Sequence, residues 1–471
     1  MNRYRAFRGA MLRLAVCGFF AAWGACGASA DDAAGEVPKT VPLRIHPRAI
    51  DPFRADRPLL PEGPDLKPGN AAVVLLRMPW GQTAFMTGDY ERVGALSGLP
   101  SDDPRVAELQ FDHFAGQMRR AAYMRDADWN YPIDEEPFGE ILLPDLQGLR
   151  RFVDYGMTVW VNQRLAKGDL DAAREGVLVK LACARQVART PFTINRFVAE
   201  LFAVNALESL ERVIAHPSAP NFHRELGLLP SSIGIGVGHL QWEAVEPERT
   251  LPTLRAGMPK AGDGEAWARV LREWIDGYAI DDSIPTEDKV ARLRAGASAA
   301  GREAFATAAP ADLDLATAGD DEVAVRFLLA WTKTLAERAE AAWLREPPDA
   351  IAAIVELDEH RKRSEERLTP WATGATSEPL HCYLSHHLFG RRARMLEVVE
   401  ALRDAAARNG GRFPATLAEV SAHVPRDPFT GEPFLYEPAT DGRSARLATP
   451  PIPGVDEPRY ARVYELTLAE E

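Results

Sequence analysis

The sequence predicts a mainly α fold, either an irregular helical bundle or a set of tetratricopeptide-like helical hairpins, closed by a small C-terminal α+β unit. Three observations carry this prediction. Apolar residues recur three and four apart over most of residues 70 to 368, the spacing of one helix face. Gly-Asp and proline punctuation cuts that periodicity into helix-length pieces. After Asn409 the pattern changes to short alternating runs around a proline-flanked turn, "RDPFTGEPFLY" (426 to 436), which is the writing of strands and corners.

The first thirty residues stand apart. They carry Arg3, Arg5, Arg8 and Arg13 and no acid, with the apolar run "MLRLAVCGFFAAWGA" over 11 to 25, and Ala28-Ser29-Ala30 precede Asp31-Asp32. A basic start, an apolar middle and small residues at a cut predict a secretory signal peptide over 1–30 and a periplasmic or secreted protein. A rival cut before Cys26 would leave a lipid anchor on that cysteine, although Trp23 stands where such signals usually carry Leu. The apolar run is too short for a membrane span, so the mature chain is expected to have no transmembrane segment.

At 471 residues the chain has room for about three domains. With 46% hydrophobic and 26% charged residues, its composition is that of a globular protein. Removing the signal takes four arginines from the 55 Lys and Arg and no acid from the 68 Asp and Glu, so the net charge moves from -13 to -17. Such a surface repels phosphate backbones, and no basic stripe interleaved with aromatics offsets it, which excludes a nucleic-acid partner. The surplus of acid points to a partner with basic or calcium-bridged surfaces. Only Cys183 and Cys382 remain after the signal. They form either one disulfide, which an exported compartment permits, or two separate buried thiols.

Residues 31–69 contain "PLLPEGPDLKPGN" and little periodicity, and are expected to be an extended Pro-rich tether lying on a surface rather than a core element. Residues 70–370 form the helical domain. Its clearest pair starts with Leu149, Phe152, Val153, Gly156, Val159, Trp160 and Gln163 on one face. It turns at "KGDLDAA", where Gly168 ends one helix and Asp169 caps the next. That second helix buries Ala173, Val177, Leu181, Ala184 and Val187. A third, after Pro191, buries Ile194, Phe197, Leu201, Val204, Leu207, Leu210 and Val213. The stretch 320 to 346 is a long amphipathic helix led by acids, as the macrodipole prefers, with Ala324, Leu328, Trp331, Leu335 and Ala342 as its stripe. Residues 352 to 368 form a charged helix with a mostly wet surface. Residues 371–390 are a junction. In the closing unit, 391–471, a helix stops at Asn409-Gly410-Gly411 and a brief one starts at Thr416. Asp427-Pro428 then begins a turn that Gly431 relieves with a positive φ, and Phe434 and Tyr436 enter a strand.

The closing stretch resembles the globular part of type II secretion pseudopilins, on Gly411, Phe413, Pro414, Leu417, Asp427, Pro428, Phe429, Gly431, Pro433 and Tyr436. A pilin's helix continues from an N-terminal membrane stretch, whereas here it follows about 390 residues of other protein, so the resemblance implies a shared fold and not an assembling pilin. The mature chain as a whole is similar to a group of uncharacterised exported proteins of planctomycete-type bacteria. The residues carrying this are "LKPGNAAVVLLR" (66 to 77), "DWNYPIDEE" (128 to 136), "LLPDLQGLRRF" (142 to 152), "KGDLDAA" (167 to 173), "ARQVARTPFTINRFV" (184 to 198), "HPSAPNFHRELGLLP" (216 to 230), "RNGGRFPATLAEV" (408 to 420) and "DPFTGEPFLYE" (427 to 437). It departs from that group at "SSIGIGVGHLQWE" (231 to 243). The resemblance implies an exported helical protein and supplies no reaction.

Three stretches invite chemistry, each against a plainer reading. In "LHCYLSHHLFGRR" (380 to 392), Cys382 and His386 share a helix face, and His381 or His387 would add a third ligand for zinc or copper; the plainer reading is a junction helix with one packed Cys. "GIGVGH" (234 to 239) fits no phosphate-loop pattern and reads as an inter-helix loop. "DADWNYPIDEEPFGE" (126 to 140) gathers Asp126, Asp128, Asp134, Glu135, Glu136 and Glu140 around Trp129 and Tyr131, as a glycosidase cleft would. The same stretch reads as a polar loop anchored by Trp129, and its spacing departs from an EF-hand. No GxSxG elbow is present. The sequence therefore assigns no catalytic, cofactor-binding or metal residue. The expected function is protein interaction or scaffolding in the cell envelope through a helical surface. An envelope hydrolase, glycosidase-like or metal-dependent, is the alternative, and an accessory of a secretion machine is a third.

Overall fold

The computed structural model describes residues 38–52, 57–81, 90–100, 103–107, 111–130, 148–190, 192–234, 238–278, 284–368 and 378–469. The predicted signal peptide, Cys26, and the acids Asp134, Glu135, Glu136 and Glu140 lie outside the described residues. In chain order, strand β1 (Lys39–Ile45) is followed by β2 (Lys67–Asn70), α1 (Ala71–Gly81), α2 (Tyr90–Ser97), α3 (Asp112–Ala122) and β3 (Met124–Asp126). A π-helical turn, Arg151–Gly156, leads into α4 (Met157–Ala166). Then come α5 (Leu170–Val187), α6 (Thr193–Ile214), α7 (Gly238–Thr250), α8 (Gly264–Tyr278), α9 (Thr286–Ala308), α10 (Asp320–Trp343), α11 (Pro347–Leu368) and α12 (Pro379–Arg408). Strands β4 (Leu435–Pro438), β5 (Ser444–Ala448) and β6 (Arg462–Leu468) close the chain. The protein is thus mainly helical with a small sheet. Among the described residues no helix is long and apolar enough to cross a membrane.

The α4–α5 hairpin follows from its turn chemistry. Gly168 takes φ +70°, which costs a glycine nothing, and the Asp169 carboxylate accepts the Ala172 N–H at 3.1 Å as an N-cap. Gly176 faces α4 so closely that an added Cβ would lie 2.5 Å from Val161 Cγ2, which lets the two helices pack at short range. Helix α6 lies between α5 and α12 and is buried around most of its circumference, Val198, Ala199, Phe202, Ala203 and Ala206 joining Phe197, Val204, Leu207, Leu210 and Val213 of the expected stripe, while Leu201 is half-buried. Helix α10 buries Ala324, Leu328, Trp331, Leu335 and Ala342 as its spacing predicts.

The first correction concerns the tether. Residues 39–45 form an edge strand rather than a surface strap: β1 pairs in parallel with β6, from Lys39 with Arg462 to Ile45 with Leu468, in a sheet ordered β1-β6-β5-β4. Leu43 and Ile45 are buried while Thr40, Pro42 and Arg44 are exposed. That alternation is a strand's period, and a proline is tolerated because an edge strand has one unpaired side.

The second correction concerns the boundary at 390/391, which falls inside the continuous helix α12. Gly390 there is a contact point: a Cβ would sit 2.0 Å from the carbonyl oxygen of Ser231. The sheet also shares its core with the helices. Leu43, Ile45, Leu447, Tyr464 and Leu466 belong to the same buried cluster as Val177, Leu207 and Val399. A second cluster joins α8–α11 to the first turns of α12 and to Phe429, Ile452 and Tyr460.

The turn at 427–431 is fastened to α12. Arg391 is buried and donates from Nε to Asp427 Oδ2 at 2.7 Å, from Nη1 to the Tyr460 carbonyl at 2.9 Å and from Nη2 to the Pro450 carbonyl at 2.6 Å. Asp427 Oδ1 accepts the Phe429 N–H at 2.7 Å, and Gly431 takes φ +70°. One guanidinium thereby holds three points of the C-terminal unit against one helix. Cys183 and Cys382 are buried free thiols, one in each core cluster.

Candidate functional site

An open cleft of about 440 Å³ lies between α1 and α3. Helix α1 lines it with Asn70 at its start and then Val73, Val74, Arg77 and Met78, a face repeating at three and four residues. Helix α3 adds His113, Phe114, Gln117 and Arg120, and Met124 closes one end from β3. The floor is apolar: Phe114 is buried against Phe152 with ring centroids 5.0 Å apart, and Met78 is buried beside it. The rim is cationic through Arg77 and Arg120, with His113 beside them. All three are exposed, and none makes an ion pair with a described residue.

The cleft is rigidly mounted. Asp112, in the first turn of α3, accepts the Trp160 indole N–H at 3.0 Å and pairs with Arg164, while Arg119 pairs with Glu175 at 2.6 Å. Those contacts tie one side of α3 to α4 and α5 and leave 113, 117 and 120 facing the cleft. Asn70 anchors α1: its Oδ1 accepts N–H groups of Ala72 and Asp128, and its Nδ2 donates to the Asp128 carbonyl at 2.7 Å. Its amide makes three bonds within the fold, and Gln117 brings a second side-chain amide to the cleft.

Of the acid-rich stretch predicted as a cleft, the structure describes only the beginning. Trp129 is buried and donates to the Gln186 carbonyl at 3.1 Å. It is an anchor and not a platform. Asp126 and Asp128 are exposed, and Asp128 accepts the Asn130 N–H at 2.9 Å in a turn. Gly234 contacts Ser232 and Gly238 begins α7, with residues 235–237 outside the described residues.

The 381–387 group is helical, and Cys382 and His386 are both buried. They enter an aromatic nest rather than a ligand set. Trp343 lies within 5.4 Å of the His239, His386 and Tyr383 ring centroids, and His387 stacks 4.5 Å from Tyr383. His381 lies against Phe197 and hydrogen-bonds Tyr460. Burial holds His381 and His387 down at about 4 and His239 at about 3, and pushes His386 well below its ordinary value, with His387, His239 and Arg196 adding to the effect on His386. All four are neutral at pH 7. Among the described residues no three His, Cys, Asp or Glu side chains are placed to hold a metal ion.

One pairing escaped the sequence. His386 Nε2 lies 2.8 Å from the hydroxyl of Ser232, which is half-buried in the loop before α7. No spacing rule links positions this far apart; only the contact of α12 with the 231–234 loop at Gly390 brings them together. The cleft cations were legible only as helix-face spacing within α1 and within α3. No family model, curated protein or solved structure matches the chain.

Proposed function

We propose that this chain is a protein-interaction or scaffold protein of the cell envelope, exported to the periplasm or beyond, whose helical unit binds partners at the α1–α3 cleft. The observation that carries this reading is the cleft itself: an apolar floor, a polar rim whose Arg77, His113 and Arg120 make no ion pair among the described residues, and a mounting that keeps its shape. Sites of 300–1,000 Å³ with apolar walls and a few directed polar groups are the usual form of a binding pocket. The basic and apolar pattern of residues 1–30 supports export. The α4–α5 hairpin supports a tetratricopeptide-like reading of the helices, and the α12-to-sheet order around Asp427 supports a pseudopilin-like reading of the end. The test is affinity capture with crosslinking from the native envelope, using the mature chain and a Val73→Trp variant that fills the cleft's lip. Partners captured by both alike, or by neither, would remove the cleft from the account.

An envelope hydrolase is favoured by one contact. A neutral imidazole at hydrogen-bond distance from a half-buried hydroxyl, as in Ser232 and His386, is how a serine nucleophile is activated. Labelling by a fluorophosphonate probe that disappears in Ser232→Ala supports this reading, and unlabelled protein removes it.

A further inference from the structure

We infer that the α1–α3 cleft takes an acidic, extended segment of a partner protein in which carboxylates flank an apolar side chain. This inference rests on the cleft being the interaction site and adds the chemistry of what enters it.

Charge is the first argument. The mature chain is strongly acidic, and many of its arginines are paired with acids: Arg105 with Asp103, Arg119 with Glu175, Arg294 with Asp321, Arg302 with Asp320 and Arg326 with Glu322. At the cleft, Arg77, His113 and Arg120 come together; among the described residues no acidic side chain lines it with them, and none of the three is paired. A local cationic rim on an acidic protein repels basic partners, and it favours an anionic one through complementary potential. The partner class is therefore opposite in sign to the one the net charge suggests.

Shape is the second. Asn70 to Arg77 on α1 and His113 to Arg120 on α3 each span seven residues, roughly 10 Å of helix axis. That length accepts about three residues of extended chain. Arg77 and Arg120, at the far ends of those spans, present planar forks suited to carboxylates. Between the cations, Val74, Met78, Phe114 and Met124 offer an apolar bed to one side chain. The two methionines are unbranched and adapt to different shapes, a property found at peptide-binding surfaces. The Gln117 amide can meet a backbone N–H or C=O of the guest.

The experiment uses the full mature chain and three dye-labelled hexapeptides: alternating glutamate and leucine, alternating glutamine and leucine, and alternating lysine and leucine. Fluorescence anisotropy reads binding at two salt concentrations. The glutamate peptide should bind at least tenfold more tightly than the glutamine one, the lysine peptide should not bind, and the affinity should fall as salt rises. The variant Arg77→Glu/Arg120→Glu should weaken the glutamate peptide by on the order of tenfold or more, since two exposed pairs are replaced by two repulsions. Both residues are exposed and make no ion pair among the described residues, so the variant should keep the parent's circular dichroism and melting. Equal binding of the glutamate and glutamine peptides, no binding of the glutamate peptide, or an unchanged affinity in the double variant overturns the inference. If Val73→Trp abolishes envelope capture while the charge reversal leaves it intact, the interaction reading stands and this one falls.

Discussion

Replacing Arg391 by methionine should unfasten the C-terminal unit from α12 and cost on the order of 3–5 kcal/mol, the usual range for removing one partner of a buried ion pair. The structure explains why the cost is large. The guanidinium makes its bonds to Asp427, Tyr460 and Pro450 in a fully buried site, and the Asp427 side chain has no exposure to water. Methionine fills much of the volume but donates nothing, so a carboxylate and two carbonyls lose their partner together. The penalty also has a pH signature. Burial already raises the Asp427 carboxyl above its ordinary value, and the loss of the cation raises it further. An acid with a raised folded pKa is penalised once pH exceeds the unfolded value near 4, and the penalty stops growing above the folded value. The deficit of the variant relative to the parent should therefore shrink between pH 7 and pH 4.5, which a packing defect would not do. Urea titration of both proteins at the two pH values measures it. Arg391→Met/Asp427→Leu, which removes the orphaned charge, should recover most of the loss. A deficit below about 1 kcal/mol, an equal deficit at both pH values, or a double variant no better than the single would refute this account of the anchor.

Three further outcomes follow from the same structure. Because His239, His381, His386 and His387 are held neutral below their ordinary pKa, the unfolded chain takes up protons first, so their contribution is full above about pH 6.5 and is lost as pH falls toward 4. His387→Gln should lower the slope of unfolding free energy against pH by up to about 1.4 kcal/mol per pH unit between pH 6 and 4.5, read by denaturant titration; an unchanged slope would contradict the burial of that ring. Gly390→Ala should destabilise by about 1–3 kcal/mol, because the methyl meets the Ser231 carbonyl at 2.0 Å and backbone must move, and a melting temperature equal to the parent's would count against that packing. Asp169→Ala should cost about 1 kcal/mol through loss of the cap on α5, whereas Asp169→Asn should cost little, as thermal melts of the pair would report.

The elements that were legible are those whose chemistry is local. Gly168 and Asp169 sit side by side and specify the α4–α5 turn without help from elsewhere, and the α10 stripe needs only its own spacing. Asp427 and Gly431 likewise announced a turn, but not its fastening, because Arg391 is 36 residues away on a different element. Strand β1 was missed because prolines on both sides masked the alternation of Val41, Leu43 and Ile45, and its pairing partner is the last strand of the chain. The boundary at 390 was misplaced because residue spacing alone did not show α12 running on through Gly390, whose reason is the approach of Ser231. The shared face of Cys382 and His386 was legible from their spacing, and both are buried. What surrounds them was not, since Trp343 and His239 arrive from α10 and α7. The cleft belongs to the same class: each lining face is an ordinary helical repeat, and only their juxtaposition makes a cationic rim that no described residue pairs with.

The parallel register of β1 and β6 sets the order in which this protein can be completed. Lys39 faces Arg462 about 420 residues later, so the sheet cannot close until nearly the whole chain has been made. Closing a loop of that length costs on the order of 5 kcal/mol in chain entropy, and contacts of such separation form slowly. Until then the first strand waits as an open edge, with Leu43 and Ile45 uncovered and ready to pair with another chain. A holding factor at the ribosome, or mere speed of synthesis, would therefore act on this protein through this strand, and a chain stopped before Arg462 would leave that edge without its partner.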